Sequence, residues 1–346
     1  MVVKRILVAV LLLISNNGCD AFSAQQPFFA SSENNNANTE STKNTNNKAL
    51  QPGDTIAVIG ASGNVGKLVA LRLSDTYKIN GVVRDASSVQ PFFEGRDNIN
   101  LFECNLIEEI MKNNNDFSSS SLSPALRDAN AVVICTGTTA FPTEAWSKTE
   151  STSVTSAVLK ALFDNGFTVK DAISDLDSMG WNTPNNVDNK SNKYVLNVWN
   201  SMGATKKRVV MLSSIGVQRR TAMPFPILNA CGVLDAKAAG EEYLKQNAKE
   251  EEYSYTIIRP GQLFGGPYDN NYYLGTLFQL DKDSDTQDVE VGQGDELLGD
   301  TLRSTLAEIT AQIMEKNYAT NMDFAAVNVK GQAPDVTTLQ SRLGAL

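Results

Sequence analysis

Through the middle of the chain, apolar residues fall in runs of four to six, and most are followed by stretches in which they recur every three or four positions. The first run, Thr55–Ile59, meets Gly60 and passes through Gly63 and Gly66 into Val65, Leu68 and Val69. That order predicts a buried parallel strand, a tight turn and a helix over 64–73. Similar runs predict strands at 79–84, 99–103, 131–135, 208–212, 255–258 and 324–329, with helices at 124–128, 154–163, 188–202 and 233–246. Leu302, Leu306, Ile309 and Ile313 mark one more helix, whereas Leu274–Leu280 and Val289–Val291 read as short strands or loop. Alternating strands and helices predict an α/β fold with a doubly wound parallel sheet. The carboxyl ends of its strands should line the ligand crevice.

Several regions depart from this pattern. Residues 113–123, rich in Asn and then Ser, read as a surface loop, and 140–187 read as an insertion or lid within a domain spanning 54–330. Residues 331–346 are left as a C-terminal tail. At the other end, Lys4 and Arg5 precede the apolar run Ile6–Ile14, which gives 1–21 the form of a secretory signal. The run is too short for a permanent membrane span. Residues 22–50 are polar, aperiodic and expected to be disordered. Signal, Ala21-Phe22 junction and polar tail together resemble the two-part presequence of proteins sent to complex algal plastids; plain secretion is the rival reading. Cys104, Cys135 and Cys231 are odd in number and read as buried apolar residues, not as a disulfide framework, which favours the plastid.

Charge and composition narrow the chemistry. Apolar residues make up 42% of the chain, ample for a packed core. A net charge of −9 argues against a nucleic-acid partner. The chain has no histidine, which removes Ser-His-Asp and Cys-His triads and most catalytic zinc sites.

Candidate chemistry gathers at the carboxyl ends of predicted strands. The glycine turn offers bare N–H groups at a helix N-terminus, suited to a pyrophosphate, although such turns also occur without ligands. Arg84 follows Gly60 by about 24 positions, where an acidic residue would hold a ribose hydroxyl and an arginine suits a 2′-phosphate. Its alternative is a surface pair with Asp85. Asn105, beside Leu106, presents donors and an acceptor to an adenine edge and is equally a helix cap. Thr136-Gly137 allows close approach of backbone to a ligand, or is only a turn. Ser213 and Ser214 end the fifth strand, so one hydroxyl should face the crevice, unless both serve local backbone groups. Lys237 has small neighbours, Ala236, Ala238 and Ala239, which suit a crevice-facing lysine, while Glu241 four residues on suits a solvated pair. Arg259-Pro-Gly261 with Phe264-Gly-Gly-Pro267 reads as a loop that approaches the cofactor, gates the substrate or merely turns.

Taken together, Gly60-Ala-Ser-Gly63-Asn-Val-Gly66, Val83-Arg84-Asp85, Ala131–Gly137, Val210–Gly216, Lys237 with Gly240-Glu241, and Ile258–Gly261 resemble an atypical short-chain dehydrogenase/reductase. The nearest group is the NmrA-like NAD(P)-binding branch that includes plastid NADPH-binding proteins. Gly299–Glu308 resembles that family's C-terminal helix. The resemblance covers about 54–330 and implies a Rossmann-type sheet with a small C-terminal portion for substrate or partner. It implies NADP(H) as cofactor. Ser62, Asn64 and Val65 with the three glycines would carry the pyrophosphate, Arg84 the 2′-phosphate, Asn105 and Leu106 the adenine, and Thr136 and Gly137 the adjoining ribose. Lys237 would serve both cofactor and catalysis.

One departure is marked. Reductases of this superfamily place a tyrosine four residues before the active-site lysine, and here that residue is Val233. No tyrosine in the chain precedes a lysine by four. Two main readings follow. One is an NADPH-dependent reductase of an activated acceptor such as a quinone or enone, with Ser213 or Ser214 polarising it and Lys237, or a tyrosine such as Tyr268 or Tyr272, supplying the proton. The other is a non-catalytic NADPH-binding scaffold or redox sensor for a plastid protein complex. A sugar-nucleotide or other non-redox member of the fold is a third.

Overall fold

The computed structural model describes residues 49–112, 116–149, 153–265 and 285–346. The signal-like and polar N-terminal segments, Leu274–Leu280, Tyr268 and Tyr272 lie outside these residues. The strands are β1 (Thr55–Ile59), β2 (Lys78–Val83), β3 (Ile99–Glu103), β4 (Ala131–Ile134), β5 (Arg208–Leu212), β6 (Ser254–Pro260), β7 (Gln262–Phe264), β8 (Asp288–Gln293), β9 (Asp300–Leu302) and β10 (Met322–Val329). They form a single sheet in the order β3-β2-β1-β4-β5-β6-β10-β9-β7, with β8 also paired to β10. Pairing is parallel from β3 through β10; β8 and β9 run antiparallel to β10.

The order reverses at β1: β2 and β3 lie to one side, β4, β5 and β6 to the other. A crevice opens where the connections leave in opposite directions, at the carboxyl ends of β1 and β4. Both faces are covered, so strands are apolar throughout, as in Ala131–Ile134, where every residue is buried. Ile56 and Val58 face a layer made by α1 (Gly66–Leu73), α9 (Arg303–Lys316) and α10 (Val336–Gly344). Ala57 and Ile59 face the other, made by α3 (Ser123–Leu126), α6 (Ser191–Ser201) and α8 (Val233–Glu250).

Several elements differ from the sequence pattern. Helix α1 begins at Gly66, two residues late, because Ser62 to Val65 are used in the turn. Gly299–Glu308 is not one helix: Asp300–Leu302 pairs with β7 and β10 as β9, and α9 starts at Arg303. The segment expected as a tail carries α10, whose Leu339 and Leu343 are buried in the core. A further short helix, α2 (Leu106–Met111), follows β3.

The insertion is a helical hairpin, α4 (Val154–Asp164) and α5 (Val169–Ser178), around a small core of Trp146, Val158, Leu162, Leu176 and Trp181. The acid-rich sequence of α5 hides its amphipathic spacing, since only Val169, Ala172 and Leu176 are apolar and buried. A π-helical stretch, Asn185–Lys190, then leads into α6, so the helix expected from Asp188 begins in a different winding. Asp177 of α5 is the hub that holds it: Thr183 and Asn185 donate to its carboxylate, and Asn186 donates to its backbone carbonyl at 2.9 Å.

Arg259-Pro260 is strand, not loop. Arg259 is fully buried in β6, donating to both carboxylate oxygens of Glu241 on α8, at 3.0 and 2.6 Å, and to Asp323 on β10. Removing one partner of such a cluster strands a buried charge. Arg259→Ala should therefore lower unfolding stability by about 3–5 kcal/mol in urea titrations, and Arg259→Met combined with Glu241→Gln by clearly less.

Candidate active site at the sheet switch point

At the end of β1, Gly60 takes a positive φ of +82°. Its N–H and that of Ala61 both donate to the Val82 carbonyl at 3.1 Å, and Gly63 N–H donates back to the Gly60 carbonyl at 3.0 Å. A Cβ on Gly66 would lie 2.1 Å from that same carbonyl oxygen, so only glycine lets α1 approach β1 this closely. Among the described residues, the backbone N–H groups of Ser62, Asn64, Val65 and Gly66 have no acceptor, and Val65 receives no side-chain cap. Four free amides at the start of a helix form an anion cradle, which fits a dinucleotide pyrophosphate. Thr136, at the end of β4, is the immediate neighbour; its methyl group would sit 3.1 Å from a Cβ on Gly60.

Arg84 is exposed one residue past β2. It does not pair with Asp85, whose carboxylate is held below its ordinary range, chiefly by the Ser87 hydroxyl and by N–H groups of Ser87 and Ser88. Asn105 is a helix cap. Its oxygen accepts from Ile107 N–H at 3.2 Å and its amide donates to Glu108, so its side chain is committed to α2 and Leu106 is the residue that follows it. Thr136 donates to Asn192 of α6 at 3.2 Å.

Gly137 and Thr138 bring together two residues 49 positions apart. Lys237 of α8 donates to Asp188 at 2.7 Å, with the two side chains 12% and 1% exposed. Thr138 N–H donates to the other carboxylate oxygen of Asp188 at 3.3 Å. A Cβ on Gly137 would lie 3.5 Å from Asp188 Oδ1 and 3.6 Å from Lys237 Nζ, which places the pair against the strand end. Burial pushes the Asp188 carboxyl up, with the Lys237 charge pulling against it. The expected surface pair of Lys237 with Glu241 does not form, because Glu241 is taken by Arg259.

Ser213 and Ser214 part company. The Ser214 hydroxyl donates to the Ile215 carbonyl at 3.0 Å. The Ser213 hydroxyl is buried and has no hydrogen-bond partner among the described residues. Ser213 N–H continues the ladder to Ile258 at 2.8 Å, so Ser213 shares the face of Val209 and Met211, towards the α6–α8 layer. The loop that follows is fixed by buried Asp295, which accepts from Gly216 and Gln218 N–H at 2.8 Å each. Val233 packs among Ile215, Val217, Phe225 and Leu234.

Asp188, Asn192 and Asp295 were not legible as site residues. Each lies in a polar stretch without a motif, and the partner each one meets is far away in sequence. The glycines and Lys237 stood out because spacing and small neighbours mark them locally.

A solved structure with the same fold is that of a Bacillus halodurans protein described provisionally as an NAD-dependent epimerase/dehydratase, 18% identical with TM-score 0.53, over 85% of this chain and 100% of that one. Further matches are an anaerobillin reductase from Escherichia coli O157:H7 (14%, TM-score 0.48, 82% and 98%) and a short-chain dehydrogenase/reductase from Veillonella parvula in complex with NADP (13%, TM-score 0.47, 82% and 99%). Among curated proteins no match to the sequence was found. A family model described as NAD(P)H-binding matches residues 60–316, beginning at the first glycine of the turn, and the chain accordingly belongs to the NAD(P)H-binding family.

Proposed function

We propose that the protein is an NADP(H)-dependent reductase of an activated small-molecule acceptor such as a quinone or an enone. The observation that carries this reading is Ser213: a buried hydroxyl without a partner among the described residues, just past the carboxyl end of β5. A buried polar group is normally satisfied. One left open at the carboxyl edge of the sheet suits a ligand oxygen.

The amides of Ser62, Asn64, Val65 and Gly66 would hold the pyrophosphate, and Arg84 the 2′-phosphate, which selects NADP over NAD. Arg84 is exposed and unpaired with Asp85, so its fork is available. Leu106 and the backbone near Asn105 would border the adenine, and Thr136 and Gly137 the ribose. When bound, NADPH supplies the hydride. Ser213 would donate to the acceptor oxygen as charge grows there, and Lys237 would deliver the proton. An activated acceptor needs less acid assistance, which suits a site with Val233 where a tyrosine is usual.

The second reading, an NADPH-binding scaffold or sensor for a plastid complex, is favoured by that same valine. Val233 is 5% exposed inside an apolar cluster, and the position holds no phenol. Plastid delivery rests on the presequence alone. A fluorescent protein fused to residues 1–50 should reach the plastid, and retention in the secretory pathway would overturn the assignment.

Purified protein should oxidise NADPH with menadione or cyclohexenone as acceptor, followed by loss of NADPH absorbance. Tight NADPH binding with no turnover across quinones, enones and ketones moves the conclusion to the scaffold. Arg84→Ala should weaken NADPH by about 10-fold or more and leave NADH unchanged, by fluorescence titration. Gly66→Ala should weaken both dinucleotides by a similar factor, since its methyl group forces α1 away from β1 and spreads the amide cradle.

A further inference from the structure

We propose that Asp188 is a positioning residue that holds Lys237 in place and aimed at the cofactor crevice, and that the 140–187 insertion is the frame that fixes Asp188. The inference rests on the reading of this crevice as an NADP(H) site.

A buried ion pair is a poor device for stability, because taking both charges out of water offsets most of their attraction. Here the pair sits at the strand end nearest the glycine turn, beside Gly137, rather than in the middle of a layer. Both ends of the carboxylate are used: one oxygen accepts from Lys237 and the other from Thr138 N–H. Its backbone is equally constrained. A Cβ on Gly240 would lie 2.5 Å from the Asp188 carbonyl oxygen, so α8 packs directly on this winding, and Asn192 donates to the same carbonyl at 2.8 Å. The winding is π-helical, and such turns concentrate at functional sites.

The frame extends outward from there. Asn186 donates to the carbonyls of Asp177 and Trp181, at 2.9 and 2.8 Å, and Asn185 to the Asp177 carboxylate at 2.8 Å. Asp177 belongs to the second helix of the insertion, whose hairpin core includes Trp181. A helical lysine on four rotatable bonds would otherwise sample many positions. The insertion thus converts Lys237 from a flexible side chain into a fixed donor.

NADPH held in the crevice would supply the hydride; in that reduction an N–H bond of Lys237 would break as its proton passes to the acceptor oxygen. The lysine amine takes a proton back from water, and Asp188 exchanges none. Asp188 returns the side chain to one place.

The test uses the full chain and acetylation by sulfo-N-hydroxysuccinimide acetate at mildly alkaline pH, read residue by residue by mass spectrometry. Only free amine reacts, and exposed Lys78 and Lys249 serve as internal references. Asp188→Asn should speed labelling of Lys237 by about 10-fold relative to those lysines, and Asp188→Glu should restore slow labelling. With menadione, Asp188→Asn should lower kcat with little change in KM or in NADPH affinity. Equal Lys237 labelling in Asp188→Asn and the native protein overturns the proposal. Should Asp188→Asn fail to fold, Asp177→Asn loosens the frame while leaving the pair; faster Lys237 labelling then supports the proposal and unchanged labelling overturns it. Absence of turnover in the native protein would refute the reductase reading alone, since the labelling result still decides the role of Asp188.

Discussion

The crevice depends on the close approach of Gly66 to the Gly60 carbonyl. The carbonyl of one and the α-carbon of the other leave no room for a side chain, and α1 lies against β1 only because of it. That approach ends the first strand, turns the chain and leaves four amides without an acceptor among the described residues. The reversal of strand order happens beside the same strand, so the free amides face the crevice rather than a neighbouring helix. Thr136 at the end of β4 closes the other wall. The rest of the crevice is arranged around this fixed point.

Helix α8 is the second organising element, and it carries charge on two levels. Lys237 turns towards Asp188 at the crevice, while Glu241, one turn later, is bound by Arg259 inside the sheet. Because Arg259 takes Glu241 away, Lys237 has no partner on its own helix and is directed to the π-helical winding. The structural ion cluster and the candidate chemical pair are therefore linked through a competition for one carboxylate. The insertion acts on the same point from outside, through Asp177 and the asparagines that follow it.

The match to the NAD(P)H-binding family runs from the glycine turn through α9. Within it lie the hairpin of α4 and α5 and the apolar setting of Val233. Function resides in such sites rather than in the fold. On the proposed reading, Ser213 would polarise the acceptor and Lys237 would supply the proton, with Val233 at the start of the helix that carries Lys237. An acceptor that is already activated fits that combination.

Local pattern determined much. Runs such as Ala131–Ile134 are apolar without alternation, which only a strand covered on both faces requires, and the glycines of the turn announce themselves by spacing. The sheet class, the glycine turn and the small-residue setting of Lys237 were legible for that reason: each depends on neighbours in sequence. Helix α5 was not, because its buried positions are few and its carboxylates look like a solvated face until Asp177 is seen holding the next turn. Asn105 was divided between cap and ligand, and only the packed helix decided for the cap. Likewise, Glu241 stands at the right spacing to pair with Lys237, and sequence alone offers that pair. Tertiary structure assigned Glu241 to Arg259 and gave Lys237 to Asp188, because a buried guanidinium binds a carboxylate through two bonds where an ammonium makes one, and because burial leaves no charge free to choose water instead.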